Sequence, residues 1–304
     1  MARLEMIENG IGLIQRGDTY YLDVKFREES TAVTISPVVM NMIVSYPCSG
    51  SDTASLVTTA TTGRYESSWA VPSSATYGEY RVSVEVSYES KTYKFESFFY
   101  VLPWNIVQQI RAVSGIKQSN DISDKDIALI AWNSYIEAKE DCFKRIYNER
   151  IQIDGYHLVN ESNKTFYARN MNLVSGHTIC DEDAIKGHYK TPNNDIEDLT
   201  ISITDAEIGK LSIADKDGNA LDGTDCDMMY SYRIQSPGFK EQVFKKAVVY
   251  LASHEVILRF NELDKATLAD IQSNSPIILA NPNRMLQQYK KTLKKCKVLK
   301  VGGC

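Results

Sequence analysis

Residues 80–88 read YRVSVEVSY, and this stretch decides the fold of the first third of the chain. Apolar and polar side chains alternate along it, so that Val82, Val84 and Val86 share one face. A period of two over such a run is typical of a strand with one buried face. The stretch therefore predicts a β-strand that contributes a row of valines to a core.

The neighbouring sequence repeats this pattern on both sides. TYYLDVKF at residues 19–26 alternates equally well, and KFESFFYV at residues 94–101 closes the region. Short turn signals that contain glycine, such as Gly17-Asp18 and Tyr77-Gly78, separate the runs at the spacing of a β-sandwich. We predict that residues 1–102 form a β-sandwich domain.

The second half of this domain resembles a known class of module. Residues 63–101, GRYESSWAVPSSATYGEYRVSVEVSYESKTYKFESFFYV, are similar to the end of bacterial and phage immunoglobulin-like modules. In those modules a strand that ends in Trp and Val-Pro leads through a Gly-Tyr turn into a long alternating strand. The resemblance implies an immunoglobulin-like sandwich, a fold that binds or spaces other components and does not by itself name a function.

The periodicity changes at Pro103. PWNIVQQIRAVSG, residues 103–115, predicts a short helix that ends at a glycine. Residues 124–151 then predict a long amphipathic helix, because apolar side chains recur at helical spacing, through Phe143 and on to Tyr147.

Three further segments complete the prediction for residues 103–304. Residues 151–235 favour short strands and loops, which we interpret as a β insertion. A second long helix is predicted over residues 238–263, opened by Ser236-Pro237, and a basic helix over residues 282–300. The predicted fold class is α+β multidomain: an immunoglobulin-like β-sandwich followed by an α-helical connector domain with a β insertion.

The last segment is strongly basic, in contrast to the rest of the chain. No acidic residue follows Asp270, so the tail carries +7 and the remainder −12 of a net charge of −5. A lysine run is either a solvated face or a docking surface for an acidic partner or for phosphate. The residues of this candidate docking surface are Arg284, Leu286, Tyr289, Lys290, Lys291, Leu293, Lys294 and Lys295. Its apolar members Leu286, Tyr289 and Leu293 form a narrow seam along the helix, which Cys296 extends.

Other candidate sites give weak signals. SIADKDGNALDGTDCDMMYSYRI, residues 212–234, places Asp215, Asp217 and Asn219 as in a calcium loop, but Ala220 replaces the required glycine and Cys226 the required glutamate. His177, Cys180, Asp181 and His188 could bind zinc, although their spacing fits no compact zinc pattern. The scattered cysteines are interpreted as reduced thiols. We expect no metal, no cofactor, no catalytic residue and no enzyme activity.

The segments after Pro103 resemble the head–tail connector, or adaptor, proteins of tailed bacteriophages. Those proteins carry an I-x-x-h-R-x-x-x-G-I element (h apolar) and then acidic residues that start a helix. The matching residues here are Ile106 to Ile116, Asp124, Asp126, Ile127, Ile130 and Ala138, with Lys245, Lys246, Ala247 and Leu251 in the later helix. A β element of the insertion is matched by Phe166, Tyr167, Gly209, Leu211, Ile213, Tyr230 and Tyr232.

This resemblance implies a structural virion protein. Adaptors form rings, commonly of twelve copies, at the virion neck between the portal protein and the neck or tail proteins, and DNA passes through the ring. The resemblance also implies synthesis in a host cytoplasm, and we expect no membrane contact because no apolar run is long enough.

Two alternatives come from other classes of protein. One is a surface-binding or adhesin-type protein that uses the sandwich for ligand or carbohydrate recognition. It requires exposed aromatic side chains at one loop edge, and the candidates are Tyr65, Trp69, Tyr77 and Tyr80. The other is a metal-dependent enzyme.

Overall fold

A computed structural model of the chain describes most of its residues and divides them into two compact units. The described residues are 4–8, 12–28, 31–33, 40–116, 122–150, 165–174, 185–191, 193–219, 227–267 and 280–296. The first unit comprises Met1–Tyr135 with Val248–Gln287, and the second comprises Ile136–Ala247 with Gln288–Cys304.

The N-terminal part of the first unit consists of two five-stranded sheets. One sheet contains β1 (Leu4–Glu8), β3 (Thr19–Glu28), β8 (Arg64–Ala70) and β7 (Val57–Thr58) in that order, with β4 (Thr31–Ala32) paired to β3. The other contains β2 (Leu13–Gln15), β10 (Lys91–Leu102), β9 (Gly78–Tyr88), β5 (Met40–Ser45) and β6 (Ser51–Ser55) in that order. The strands predicted at residues 19–26 and 80–88 are confirmed as β3 and β9.

Aromatic rings from both sheets fill the space between them. Tyr20 of β3 stacks on Phe99 of β10 with ring centroids 4.2 Å apart, and Trp69 of β8 packs against Tyr80 of β9 at 5.6 Å. Such rings add specific geometry to a large buried apolar area. The alternation in the sequence thus identifies side chains that form the core of a two-sheet sandwich.

Two helices follow the sandwich, and the second is shorter than predicted. Helix α1 spans Val107–Ser114, and α2 spans Asp124–Cys142. The prediction of a helix to residue 151 is wrong, because Lys144–Arg150 forms strand β11. Tyr147, which the helical pattern placed on a buried stripe, is 67% exposed. A short apolar run is compatible with both the helical and the strand period, and here pairing with a neighbouring strand makes the segment a strand.

Strand β11 is the edge of a six-stranded sheet in the second unit. The sheet order is β11, β16 (Asp227–Ile234), β13 (Lys186–Lys190), β14 (Ile196–Asp205), β15 (Lys210–Ala214) and β12 (Thr165–Tyr167). It buries its own core, which consists of Phe166, Ala168, Leu173, Tyr189, Leu199, Leu211, Ile213, Tyr230, Tyr232 and Ile234.

The predicted fold class is wrong in its second half. The structure is mostly β, with 44% strand and 27% helix, and its three sheets leave only four helices in the described residues. Residues predicted as an insertion in a helical domain instead form a sheet with an independent core, which also recruits the end of the predicted long helix. The region is therefore not an α-helical connector domain with a β insertion.

The remaining helices are α3 (Glu241–Thr267) and α4 (Pro282–Leu293). Helix α3 begins after a turn in which the Phe239 amide donates to the Ser236 carbonyl. Asn281 caps α4, because its side-chain oxygen accepts from the Asn283 amide at 2.9 Å. Within the described residues, no helix combines the length and apolar character needed to span a membrane.

Candidate docking surface

The apolar seam of α4 is buried along its whole length. Met285, Tyr289, Leu293 and Cys296 are buried, whereas Leu286 is only half-buried. The predicted seam is thus shifted by one residue at its start, since Met285 takes the place of Leu286. Spacings of four, four and three residues keep these side chains on one face.

The end of α2 covers the second half of this seam within the second unit. The Tyr289 hydroxyl donates to the Asp141 carboxylate at 3.0 Å, and the Cys142 thiol donates to the Cys296 carbonyl at 3.1 Å. Burial, together with the charge of Asp141, raises the pKa of Tyr289 above its usual value. A short helix of this kind is marginal alone in water, so these contacts with its own chain are what order it.

The opposite side of α4 carries only positive charge. The five basic residues of α4 and of the turn that follows it are exposed, and none of them forms a salt bridge with another described residue; they are Arg284, Lys290, Lys291, Lys294 and Lys295. Their helical spacing places the four lysines side by side, and clustered lysines attract anions from solution. We call this set the basic face of α4.

The resemblance to adaptors also points to residues that the structure brings together at the start of α2. Arg111 is 5% exposed, and its guanidinium donates to the Asp124 carboxylate at 2.9 Å and to the Ile122 carbonyl at 2.8 Å. Gly115 ends α1 with a φ of 86°, a conformation that glycine adopts readily. These motif residues join α1 to α2 and leave no charge of Arg111 free for a ligand.

Asp126, the second acidic residue of the motif, is likewise used in structure. It exchanges hydrogen bonds with Ser123, whose hydroxyl lies 2.6 Å from its carboxylate, and it accepts from Arg259 of α3 at 2.9 Å. Ser123 thus caps the start of α2, because its hydroxyl oxygen accepts from the Asp126 amide at 3.1 Å.

The aspartate-rich stretch at residues 212–234, considered above as a calcium loop, forms a turn in the part that the structure describes. One oxygen of Asp215 accepts from the Asp217 and Asn219 amides, and the other accepts from the Asn219 side chain at 3.0 Å. The hydrogen bond from Asn219 holds the pKa of Asp215 below its ordinary value. Residues 220–226 lie outside the described residues.

The other candidate metal ligands do not form a described cluster. His188 lies on β13 and pairs with Asp198 and Met229 across the sheet, while His177, Cys180 and Asp181 lie outside the described residues. No group of three or more His, Cys, Asp or Glu side chains positioned for a metal occurs among the described residues.

The cysteines differ in their state. Cys48 is disulfide-bonded, so the prediction of a reduced thiol is wrong for this residue. Cys142 and Cys296 are free and buried. The scattered spacing of the cysteines carries no pairing signal, which is why sequence inspection alone misses a bond at Cys48.

The aromatic candidates of the sandwich do not form an exposed patch. Tyr65, Trp69, Tyr77 and Tyr80 are all buried. A concave pocket of about 190 Å³, open to solvent, lies beside Trp69 and Tyr80, with Tyr46 as its third ring. Asp52 accepts from the Trp69 indole at 2.9 Å, so the polar edge of this ring already has a partner.

Sequence inspection also misses a partly buried polar network in the six-stranded sheet. The Glu149 carboxylate accepts from the Tyr230 hydroxyl at 2.7 Å and from the Tyr232 hydroxyl at 2.9 Å, and Asn170 donates to both Tyr232 and Glu149. Tyr-x-Tyr on one strand is the only signal in the sequence, because Glu149 falls in the segment predicted as helix. The network satisfies the polar ends of two core tyrosines.

The chain matches no protein-family model, and a search of curated proteins also found no match. The basic face of α4 is the strongest candidate site, since its charges have no described partner.

Proposed function

We propose that this chain is a structural protein of a virion neck, where copies form a ring that connects the portal to the tail of a bacteriophage. The observation that carries the proposal is the basic face of α4. Its five cations are exposed on a helix whose apolar seam is already covered by its own chain. The helix is therefore held in place before any partner binds, which lowers the entropic cost of docking.

The junction between α1 and α2 supports the same proposal. Three residues that carry the resemblance to adaptors, Arg111, Gly115 and Asp124, make one partly buried connection rather than lying apart. A motif whose members meet in space has a structural reason to recur within a family. The proposal does not require the all-helical second domain, because the junction lies in the first unit.

A ring requires a different surface on each side of every copy. A heterologous contact repeated by a closing rotation gives a ring, whereas the same contact without closure gives a filament. The basic face offers one such surface, and the exposed acidic groups of the rest of the chain, or those of a portal protein, offer its complement. Phosphates of DNA inside the ring are the other anionic partner with suitable chemistry.

The native mass of the purified chain tests this proposal. We expect native mass spectrometry, alone or with the portal ring from the same virus, to show a closed assembly near twelve times the 34.3 kDa of one chain, and negative-stain images to show rings. A chain that remains monomeric both alone and in the presence of that portal ring would rule out the proposal.

A further inference from the structure

Two free cysteines meet inside the second unit. Cys142 is the last residue of α2, and Cys296 lies in the turn that follows α4. The Cys142 thiol donates to the Cys296 carbonyl at 3.1 Å. The fold therefore places together two thiols that are 154 positions apart in the sequence.

The surroundings of these thiols exclude two simpler roles. Among the described residues no third His, Cys, Asp or Glu completes a metal site with them. Neither thiol is merely a surface group, since Cys142 is 2% and Cys296 0% exposed. We propose that Cys142 and Cys296 form a redox-active dithiol, which closes to a disulfide and locks the end of α4 to the end of α2.

The oxidation balances with a small-molecule disulfide, such as oxidised glutathione, as the oxidant. The Cys296 thiolate attacks one sulfur of the oxidant and releases one glutathione thiolate. The Cys142 thiolate then attacks the Cys296 sulfur of the mixed disulfide and releases the second. The two cysteines lose two protons and two electrons in total, and the oxidant is reduced to two thiols.

The local structure assigns the first attack to Cys296. The hydrogen bond from Cys142 and the neighbouring positive charge of Lys295 lower the pKa of the Cys296 thiol, against the opposing effect of burial. Cys296 also lies in a terminal turn, and opening of one turn is the least costly way to expose a buried group. Cys142 ends its own helix and is exposed by the same opening.

A closed disulfide would fix the helix that carries the basic face. A crosslink between distant positions removes conformational freedom from the unfolded chain and so stabilises the folded state. In reducing conditions the same helix is held by noncovalent contacts, which include the hydrogen bond from Tyr289 to Asp141. The dithiol would operate whether or not the chain forms a ring, so a result against one proposal does not count against the other.

The full-length chain can be tested in glutathione redox buffers of increasing oxidised fraction, with acid quenching and peptide mapping. We expect a crosslinked peptide pair that contains Cys142 and Cys296, a loss of about 2 Da for the two hydrogens, and a melting temperature higher by roughly 5 °C or more. In Cys142→Ser, we expect glutathione to remain on Cys296 and the melting temperature not to rise.

A parallel sample refolded from urea in the same buffers removes the barrier that burial presents to the oxidant. The proposal is overturned if both thiols remain reduced in both samples, or if wild-type Cys296 carries glutathione without the crosslink. Pairing of either cysteine with a different cysteine in the folded chain would overturn it as well.

Discussion

Two clusters of charged residues, the α1–α2 junction and the basic face of α4, use the same residue types in opposite ways. At the junction Arg111 is buried and its donors reach Asp124 and the Ile122 carbonyl. On α4 the lysines are exposed, and the described residues provide no salt bridge for them. Charge at the first place holds two helices together, whereas charge at the second is available to a partner.

The difference shows which charges matter for folding. A buried charge must be paired, because desolvation costs more than an isolated contact returns, and loss of one partner leaves the other unsatisfied. An exposed charge is already solvated by water and contributes little to stability. Substitutions at the two places should therefore separate stability from binding.

The largest effect on stability is expected at the junction. Arg111→Met leaves the buried Ile122 carbonyl without its donor, whereas the half-exposed Asp124 carboxylate can be solvated by water, and we expect the free energy of unfolding to fall by about 2 kcal/mol. Urea denaturation followed by circular dichroism measures this directly.

Arg259→Met is the matched control, because Arg259 also pairs with an aspartate in the first turn of α2, Asp126, but both side chains are about 40% exposed. Its cost should be no more than about 1 kcal/mol. Equal losses for the two arginines would mean that the burial of Arg111 is not what makes it structural.

A smaller effect is expected where the seam of α4 meets α2. Tyr289→Phe removes the hydrogen bond to Asp141, which should cost about 1 kcal/mol near neutral pH. The pKa of Tyr289 is raised in the folded state, so its contribution is fully present below the unfolded value, about 10, and is lost as pH rises above it.

The wild type should therefore lose stability more steeply than Tyr289→Phe above pH 10, by up to about 1.4 kcal/mol per pH unit. Thermal melts between pH 8 and 11, at intervals of about half a unit, provide the comparison. Identical slopes for the two proteins would show that this hydroxyl is not buried against Asp141.

The turn at Asp215 is another solvated charged site, in contrast to the buried Arg111. Asp215→Asn should lower the melting temperature slightly, because Asp215 accepts two amide hydrogen bonds and one from the Asn219 side chain. Asp217→Asn should leave it unchanged, since only the backbone of Asp217 takes part in this turn. We expect added calcium to shift neither variant nor the wild type, and a clear calcium-dependent rise in the wild type would contradict the turn assignment.

Sequence patterns predict some of this structure well and some poorly. Alternation locates β3 and β9, because one buried face over ten residues leaves no other period that fits. It fails at Phe143–Tyr147, where spacing compatible with a helix lies in a segment that pairs with β16. That pairing involves residues at least 79 positions apart, which no local pattern contains. The same limit explains why Glu149 and its two tyrosines are not found together from the sequence.

For the candidate site, sequence inspection identifies the basic residues but not the tertiary contacts of the helix that carries them. The lysines are recognised from composition alone, and Tyr289 and Leu293 are correctly placed on the seam. The cover of that seam by Asp141 and Cys142 depends on tertiary contacts, so the sequence leaves open whether a partner or the chain itself supplies it.

The smallest effect on stability and the largest on binding are expected on the basic face of α4. Point variants are preferable to removal of residues 282–304, because removal would also uncover the surface that Tyr289 and Leu293 occupy. Changing Lys290, Lys291, Lys294 and Lys295 to Ala or to Glu alters exposed side chains only. The matched control changes four exposed lysines elsewhere to Glu, which gives the same change in net charge; they are Lys186, Lys190, Lys240 and Lys246.

Co-sedimentation of these four proteins with a purified portal ring, the partner that the proposed function requires, at low and at high salt, tests the central claim most directly. We expect near-identical melting temperatures, wild-type binding that salt weakens, weaker binding for the Ala variant and weakest for the Glu variant, and undiminished binding for the control. Binding of the α4 Glu variant that equals the wild type at low salt would contradict the claim, and the basic face would then be only a solvated surface.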